Sequence, residues 1–337
     1  MNFWLTEGPP NEVVMCFQSI KSIKVFILLL FASILSQGFC FGITFAGSPH
    51  LIQDFKESKV LDNGEYASFK PEGDIRRFAG ETLYYDIDFM IFSQAATAKI
   101  SFFEENHKYK SVLTVETQGF VGFITSYVKH VYEATFDIVG NGKRLRTLRF
   151  DREVTVGNGQ ERIVHALDHS SMFHYMFLYQ NKNLINQFKK PLPMGYQDDV
   201  LGAFYNIRNG VYGKVEKGQH FKIPTFWTKG TEEKNKRQQP KPMLVQILTD
   251  AERQQLEQEE DEGKLENSRI LVKMLVPSDL YETKNGELYY WASNHFIPTE
   301  AIYKDFILFG DLHIKFVKRE FRPREFNNET LDNFLLR

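Results

Sequence analysis

From Glu81 onward the chain alternates apolar and polar residues with period two. Leu83, Tyr85, Ile87, Phe89 and Ile91 are interleaved with Tyr84, Asp86 and Asp88, the mark of a half-buried strand. Ala98–Phe103 and Ser111–Thr117 continue the pattern across the polar turn Glu104–Lys108. Tyr132, Ala134, Phe136 and Ile138 point one way, with Glu133, Thr135 and Asp137 pointing the other. Asn141-Gly142 follows, a hairpin signal because both residues tolerate positive φ, and Leu145–Phe150 reads as the returning strand. Further strands are predicted at Phe221–Phe226, Met243–Leu248, Ile270–Val276, Leu288–Ala292, Ala301–Leu308 and Leu312–Val317, the last two closing a hairpin around Gly310-Asp311.

Two segments break this rhythm. Asp198 and Asp199 precede a run in which Val200, Leu201, Phe204 and Ile207 share a helical face, with Arg208 in the last turn and Asn209-Gly210 beyond it. Cap, stripe, C-terminal cation and stop signal agree on a short helix. Met172–Leu178, continuing to Phe188, crowds Met and aromatic residues on more than one face and predicts a helix buried against the sheet. A charged linker, Lys229–Lys241, and a Glu/Gln-rich stretch, Thr249–Asn267, form an excursion over 229–267 that reads as a solvated helix or disorder. The expected class is mainly β (α+β): a large curved antiparallel sheet or half-barrel with one or two helices packed against it. It occupies 80–318, after a leader (1–46) and an irregular segment (47–79) and before a C-terminal tail (319–337).

The leader adds an address. Lys21 and Lys24 precede the uncharged apolar run Val25–Leu35, and small residues follow at Gly42 and Ala46. This is the pattern of an export signal, with Met15 a plausible start for it. Three fates stay open: cleavage after Ala46, retention of Val25–Gly47 as an anchor, or lipidation of Cys40, where bulky Phe39 fits poorly. Cleavage would remove both cysteines, Cys16 and Cys40, and leave a body without disulfides that depends on its packed core. The expected location is the periplasm or cell envelope, reached through the N-terminal signal, with membrane association through the N-terminal segment.

Charge and motifs narrow the chemistry. A formal net charge of −2 over 337 residues, with both signs mixed along the chain, argues against nucleic acid. The 31 Phe and 15 Tyr suit strands and apolar interiors. His165, His169 and His174, with Asp168 nearby, have conceivable metal-ligand spacing, but the alternation of Arg162–Leu167 spreads such side chains apart, so the expectation is surface or loop histidines and no metal. No Gly-x-Ser-x-Gly elbow occurs, and Gly140-Asn141-Gly142 and Gly157-Asn158-Gly159 are turn glycines without a phosphate-loop setting. Asp86 and Asp88 fall on the outward face of their strand. No catalytic residue and no cofactor is expected.

Several phrases, in order, resemble the bacterial domain-of-unknown-function family numbered 3108: Gly80-Glu81 with Leu83, Tyr85 and Phe89; Gln118 to Phe123 leading into Tyr132-Glu133; and Arg144 to Glu153. Asp199 to Arg208 is the nearest match, followed by Gly218, Phe221, Ile223-Pro224, Trp291 to Asn294, Ile297-Pro298 and Gly310. The resemblance implies an exported envelope protein with a curved antiparallel sheet and brings no catalytic residues. More loosely, such a sheet is similar to lipoprotein-carrier half-barrels, whose concave face accepts acyl chains. Within it, Tyr205 and Arg208 have two readings: anchors of the helix to strand carbonyls or to a carboxylate such as Glu133, or, with Trp291, the lining of a ligand pocket. On the anchor reading Trp291 plugs the open end of the sheet. The function expected first is non-enzymatic binding of an apolar ligand, a lipid or lipoprotein acyl chain, in an aromatic-lined sheet. An envelope scaffold that docks a protein through 229–267 or 172–188 comes second, and a metal-dependent enzyme third.

Overall fold

The structure is a computed structural model and describes residues 72–89, 92–226, 240–259, 270–276, 286–293, 295–304 and 311–322. The leader, the segment before residue 72, most of the charged excursion, the Gly310 turn and the tail lie outside the described residues. Among the described residues no helix is long and apolar enough to cross a membrane.

Among the described residues fourteen strands form one sheet. They are β1 (Glu81–Phe89), β2 (Phe92–Glu105), β3 (Lys108–Thr117), β4 (Lys129–Val139), β5 (Arg144–Val156), β6 (Gly159–Asp168), β7 (Phe173–Gln180) and β8 (Asn183–Pro191). After them come β9 (His220–Ile223), β10 (Met243–Ile247), β11 (Ile270–Leu275), β12 (Glu287–Ala292), β13 (Pro298–Tyr303) and β14 (Leu312–Phe321). The order across the sheet is β8-β7-β6-β5-β4-β3-β2-β1-β14-β13-β12-β11-β10-β9, with every neighbouring pair antiparallel. Two sequential meanders, β1 to β8 and β9 to β14, are thus joined along β1 and β14. The sheet is open, with β8 and β9 at its edges.

Among the described residues three α-helices accompany it: α1 (Gly119–Ile124), α2 (Val200–Arg208) and α3 (Asp250–Glu259). Helix α2 connects the two meanders and lies against β3, β4 and β5. Its Leu201 and Tyr205 pack into a core with Phe102, Phe136 and Leu145 from the first meander. Its Ala203 and Ile207 pack into a core with Ile223, Val245 and Val272 from the second. Period-two alternation supplies the inner stripes: in β1, buried Glu81, Leu83, Tyr85 and Ile87 alternate with half-buried neighbours. Close approach is made possible by Gly202, where a Cβ would stand 3.1 Å from both the Phe136 ring and the Asp199 carboxylate.

The cap predicted for α2 is present. The Asp199 carboxylate accepts the Leu201 and Gly202 N–H groups at 2.8 and 3.0 Å, and its second oxygen meets the Thr147 hydroxyl of β5 at 2.5 Å. The cap therefore also pins the helix to the sheet. Helix α3 falls at the start of the Glu/Gln-rich stretch and opens on a reciprocal capping box: the Thr249 N–H donates to Glu252 at 2.8 Å and the Glu252 N–H to the Thr249 hydroxyl at 3.3 Å. Leu256 of α3 packs on Leu248, Leu271, Tyr289, Trp291 and Ile302, on the face of the second meander opposite α2.

Two expectations are corrected. Met172–Phe188 is no helix; it forms most of the β7–β8 hairpin, turning at Asn181-Lys182, both at positive φ. His174 and Met176 are buried on the inner face, while Phe173, Tyr175 and Phe177 lie half-buried on the outer one. A strand apolar on both faces loses its alternation, so it mimics a buried helix. The phrase Gln118 to Phe123, for which the family resemblance implies a glycine-bearing turn, instead gives the short helix α1 over Gly119–Ile124.

Replacing Asp199 with Ala removes a cap and strands the Thr147 hydroxyl. Urea unfolding of Asp199→Ala is expected to show a loss of about 2 kcal/mol or more relative to the parent; a loss within error of zero would mean that α2 is held without its cap.

Candidate functional site

At the C-terminal end of α2, Arg208 reaches the first residue of β1. Its Nη1 and Nη2 donate to the two oxygens of Glu81 at 2.5 and 3.0 Å, and Arg319 Nε of β14 donates to the same carboxylate at 2.8 Å. Glu81 and Arg208 are buried, and the guanidinium lies over the Phe78 ring at 4.5 Å. Burial pulls the Arg208 pKa down, but Glu81 more than offsets it and the net direction is upward. Arg208 thus anchors the helix, as one sequence reading held, but its carboxylate is Glu81. Glu133 stands on β4 and pairs with Lys110. Alternation places Glu81 on the inner face and Glu133 on the outer, where a residue inside the sheet cannot reach it.

Of the three residues named from sequence, Arg208 and Tyr205 meet, the guanidinium 5.5 Å from the Tyr205 ring, and Trp291 stands apart. Tyr205 is fully buried in the first core, its ring 4.6 Å from that of Phe102. Trp291 is also buried, but in the layer beneath α3, on the opposite side of the sheet from Tyr290 and Ala292. It fills that outer layer and does not plug an open end. A one-residue shift along β12 reverses the face, and sequence alone cannot say which face meets α2.

The histidine triplet splits as strand geometry requires. His165 on β6 and His174 on β7 are both buried, with His165 Nδ1 and His174 Nε2 3.0 Å apart. His169 instead lies beyond β6, its Nε2 2.7 Å from the Thr147 carbonyl. The expectation of surface or loop histidines therefore fails for two of the three. Phe226, from the segment after β9, covers the pair at 5.1 Å from the His165 ring and 5.3 Å from the His174 ring. Phe150 and Phe188 close the sides at 6.1 and 5.4 Å. Burial, then His174 and Arg152, hold the His165 pKa well below its ordinary value; burial and Lys190 lower that of His174 to about 4. Both rings are neutral near pH 7 and belong to an aromatic, uncharged lining. Among the described residues, no group of three or more His, Cys, Asp or Glu is placed to hold a metal ion.

A second buried polar group flanks α2. Asp198 pairs with Arg144 at 2.5 Å and accepts a bond from the Tyr212 hydroxyl. Burial pushes the Asp198 carboxyl up in spite of these donors, and that of Asp199 to about 6. Neither Glu81 nor Phe226 was singled out from the sequence as a site residue. For Glu81 a signal existed, since it stands at a buried position of an alternating strand. For Phe226 none did, because its contacts are with strands far away in sequence.

The described residues thus form one open antiparallel sheet of fourteen strands with three α-helices. Over residues 84–237, somewhat less than half its length, the chain matches the model of the family described as "Protein of unknown function (DUF3108)", the family its ordered phrases resemble. The phrases around Trp291 and Ile297 fall beyond the matched residues. No curated protein matches the chain. A solved structure titled "Crystal Structure of Beta-barrel-like Protein of Domain of Unknown Function DUF1849 from Brucella abortus" is similar over 73% of this chain and 99% of its own, at 10% identity and a TM-score of 0.39. That score is too low to support an argument from one protein to the other.

Two predictions follow from the buried charges. Arg208→Met leaves Glu81 buried with Arg319 alone and should cost about 3–5 kcal/mol in denaturant unfolding, whereas the Glu81→Gln/Arg208→Met double variant should recover part of that loss. A double variant no more stable than Arg208→Met would remove the ion pair as the anchor. The second concerns acid. A histidine lowered to about 4 stays neutral in the folded chain while the unfolded chain takes up its proton below about 6.5. His174 stabilisation is therefore full above that range and is lost as pH falls through it, by on the order of 3 kcal/mol by pH 4. Unfolding curves across that range should be flatter for His165→Phe/His174→Phe; equal slopes in parent and variant would refute the assignment.

Proposed function

We propose that this chain is an exported, non-catalytic protein of the cell envelope that holds an apolar, lipid-like group against the inner face of its first meander. The export part rests on the basic and apolar residues of the leader, Lys21 to Leu35. The binding part rests on one observation. Helix α2 lies across β3, β4 and β5, while the inner face beyond it, lined by Phe150, His165, His174, Met176 and Phe188, is covered by Phe226 from the far edge of the sheet. Among the described residues that cover is one side chain, which can swing aside at far lower cost than a packed helix. An acyl chain would replace its apolar contacts, and the two neutral imidazoles impose no charge on the ligand. Arg208 and Tyr205, committed to the core, take no part in this reading.

The scaffold reading has one observation of its own. Strand β8 is one edge of the sheet and is largely exposed, and its outward N–H and C=O groups can pair with another extended chain. Native mass spectrometry of the gently extracted full chain, with titration by a fluorescent fatty acid, separates the two. The expected result is a co-purifying lipid and saturable fatty-acid binding that Phe150→Asp weakens at least severalfold. A chain that carries no lipid and binds no fatty acid, yet crosslinks to a protein through β8, would replace the carrier reading with the scaffold one.

A further inference from the structure

The β3–β4 connection exposes three aromatic rings: Phe120 at 59%, Phe123 at 71% and Tyr127 at 60% of their full area. This is a built tip. Ser126 and Tyr127 both hold left-handed backbone, at φ 61° and 52°, a conformation that costs non-glycine residues energy. They are kept there because the Tyr127 N–H donates to the Gly122 carbonyl at 2.6 Å and the Gly157 N–H of the next hairpin to the Ser126 carbonyl at 2.9 Å. The Tyr127 ring lies against Gly122, where a Cβ would meet it at 2.8 Å. At the base, the Gln118 N–H donates to the Ala95 carbonyl of β2 at 2.8 Å, and the Phe92 and Phe120 rings stand 5.7 Å apart. Backbone strain and glycine are thus used to hold aromatic rings out in water, where the hydrophobic effect opposes them.

A second apolar point lies at the same end. Because neighbours run antiparallel, the β3–β4, β5–β6 and β7–β8 connections share one end of the first meander. On β8 a register shift pairs Leu178 with Asn186 and Tyr179 with Leu184, leaving Ile185 between them without a partner across the ladder. Leu184 and Ile185 are consequently both exposed beside the β7–β8 turn.

We propose that this end of the meander is a membrane-docking edge, on which the α1 tip, helped by Leu184 and Ile185, inserts shallowly into the interfacial layer of a bilayer bearing anionic phospholipids. Two features select a bilayer over a protein. The tip is one short helix and a turn, far below the roughly 20–30 residues a side of a stable protein interface. Between Glu116 and Glu133 the chain carries no carboxylate; Lys129 at the base of the tip is balanced by Glu116 at 2.5 Å, and Lys182 in the β7–β8 turn supplies a cation at the same end. Exposed aromatic side chains on a tip without net negative charge, with a cation at the same end, are the chemistry that partitions to the head-group layer. This inference is independent of the ligand reading and of the fate of the leader.

The test uses the full chain with Cys16→Ser and Cys40→Ser and a polarity-sensitive dye at either Phe123→Cys or Lys143→Cys, the latter in the β4–β5 turn at the opposite end. Vesicles of phosphatidylethanolamine and phosphatidylglycerol should blue-shift the dye at 123 and allow brominated acyl chains to quench it, leaving the dye at 143 unaffected. Adding Phe120→Ser and Tyr127→Ser should raise the lipid concentration for half response severalfold while leaving the circular dichroism spectrum unchanged. Equal responses at both positions, as when the leader alone carries the chain to the vesicle, would overturn the proposal. So would a silent dye at 123, or a shift there that follows protein concentration without lipid and so reports a second copy.

Discussion

The fold turns on a single buried ion pair. Arg208 ends the helix that joins the two meanders, and Glu81 begins the strand along which those meanders meet. Holding them together fixes the helix relative to the seam, and the seam fixes both halves of the sheet. Taking two charges out of water is expensive, and the arrangement offsets the cost with two hydrogen bonds between them, a third from Arg319 and an aromatic face under the guanidinium. The geometry gives specificity as much as energy. An apolar pair of equal volume would fill the space without dictating which residue of the helix meets which strand.

The rest of the helix extends that logic. Asp199 caps it and holds Thr147, Gly202 lets it settle on Phe136, and its two faces supply side chains to two separate cores. The centre of the sheet is therefore solidly packed. Toward the β8 edge, among the described residues, cover of the inner face passes from helix to Phe226. Both proposed sites, the aromatic inner face near the edge and the aromatic tip at one end, lie at the periphery of this packed centre.

Local chemistry explains which parts of this were legible in the residues. The Asp199 cap, the Arg208 terminus and the Asn141-Gly142 turn are short-range signals, written within one turn of chain. The β7–β8 hairpin was not legible because Phe173, Tyr175 and Phe177 erase the polar half of the alternation, and the Asn181-Lys182 turn lacks a glycine. The candidate site suffered most. Arg208 was visible as a helix-end cation, yet its partner lies on the far side of the meander in sequence. His165 and His174 were visible as a cluster, yet their meeting depends on the register between β6 and β7.

Sequence by itself determined the strands with one polar face, the capped helix and the antiparallel character, because each follows from side-chain periodicity or from a residue bonding to its near neighbours. Tertiary structure decided which face of each strand turns inward, and so separated Trp291 from Tyr205, paired Arg208 with Glu81 and brought Phe226 onto the two histidines. Those contacts join residues far apart along the chain, and they form only once the register and curvature of the whole sheet are set.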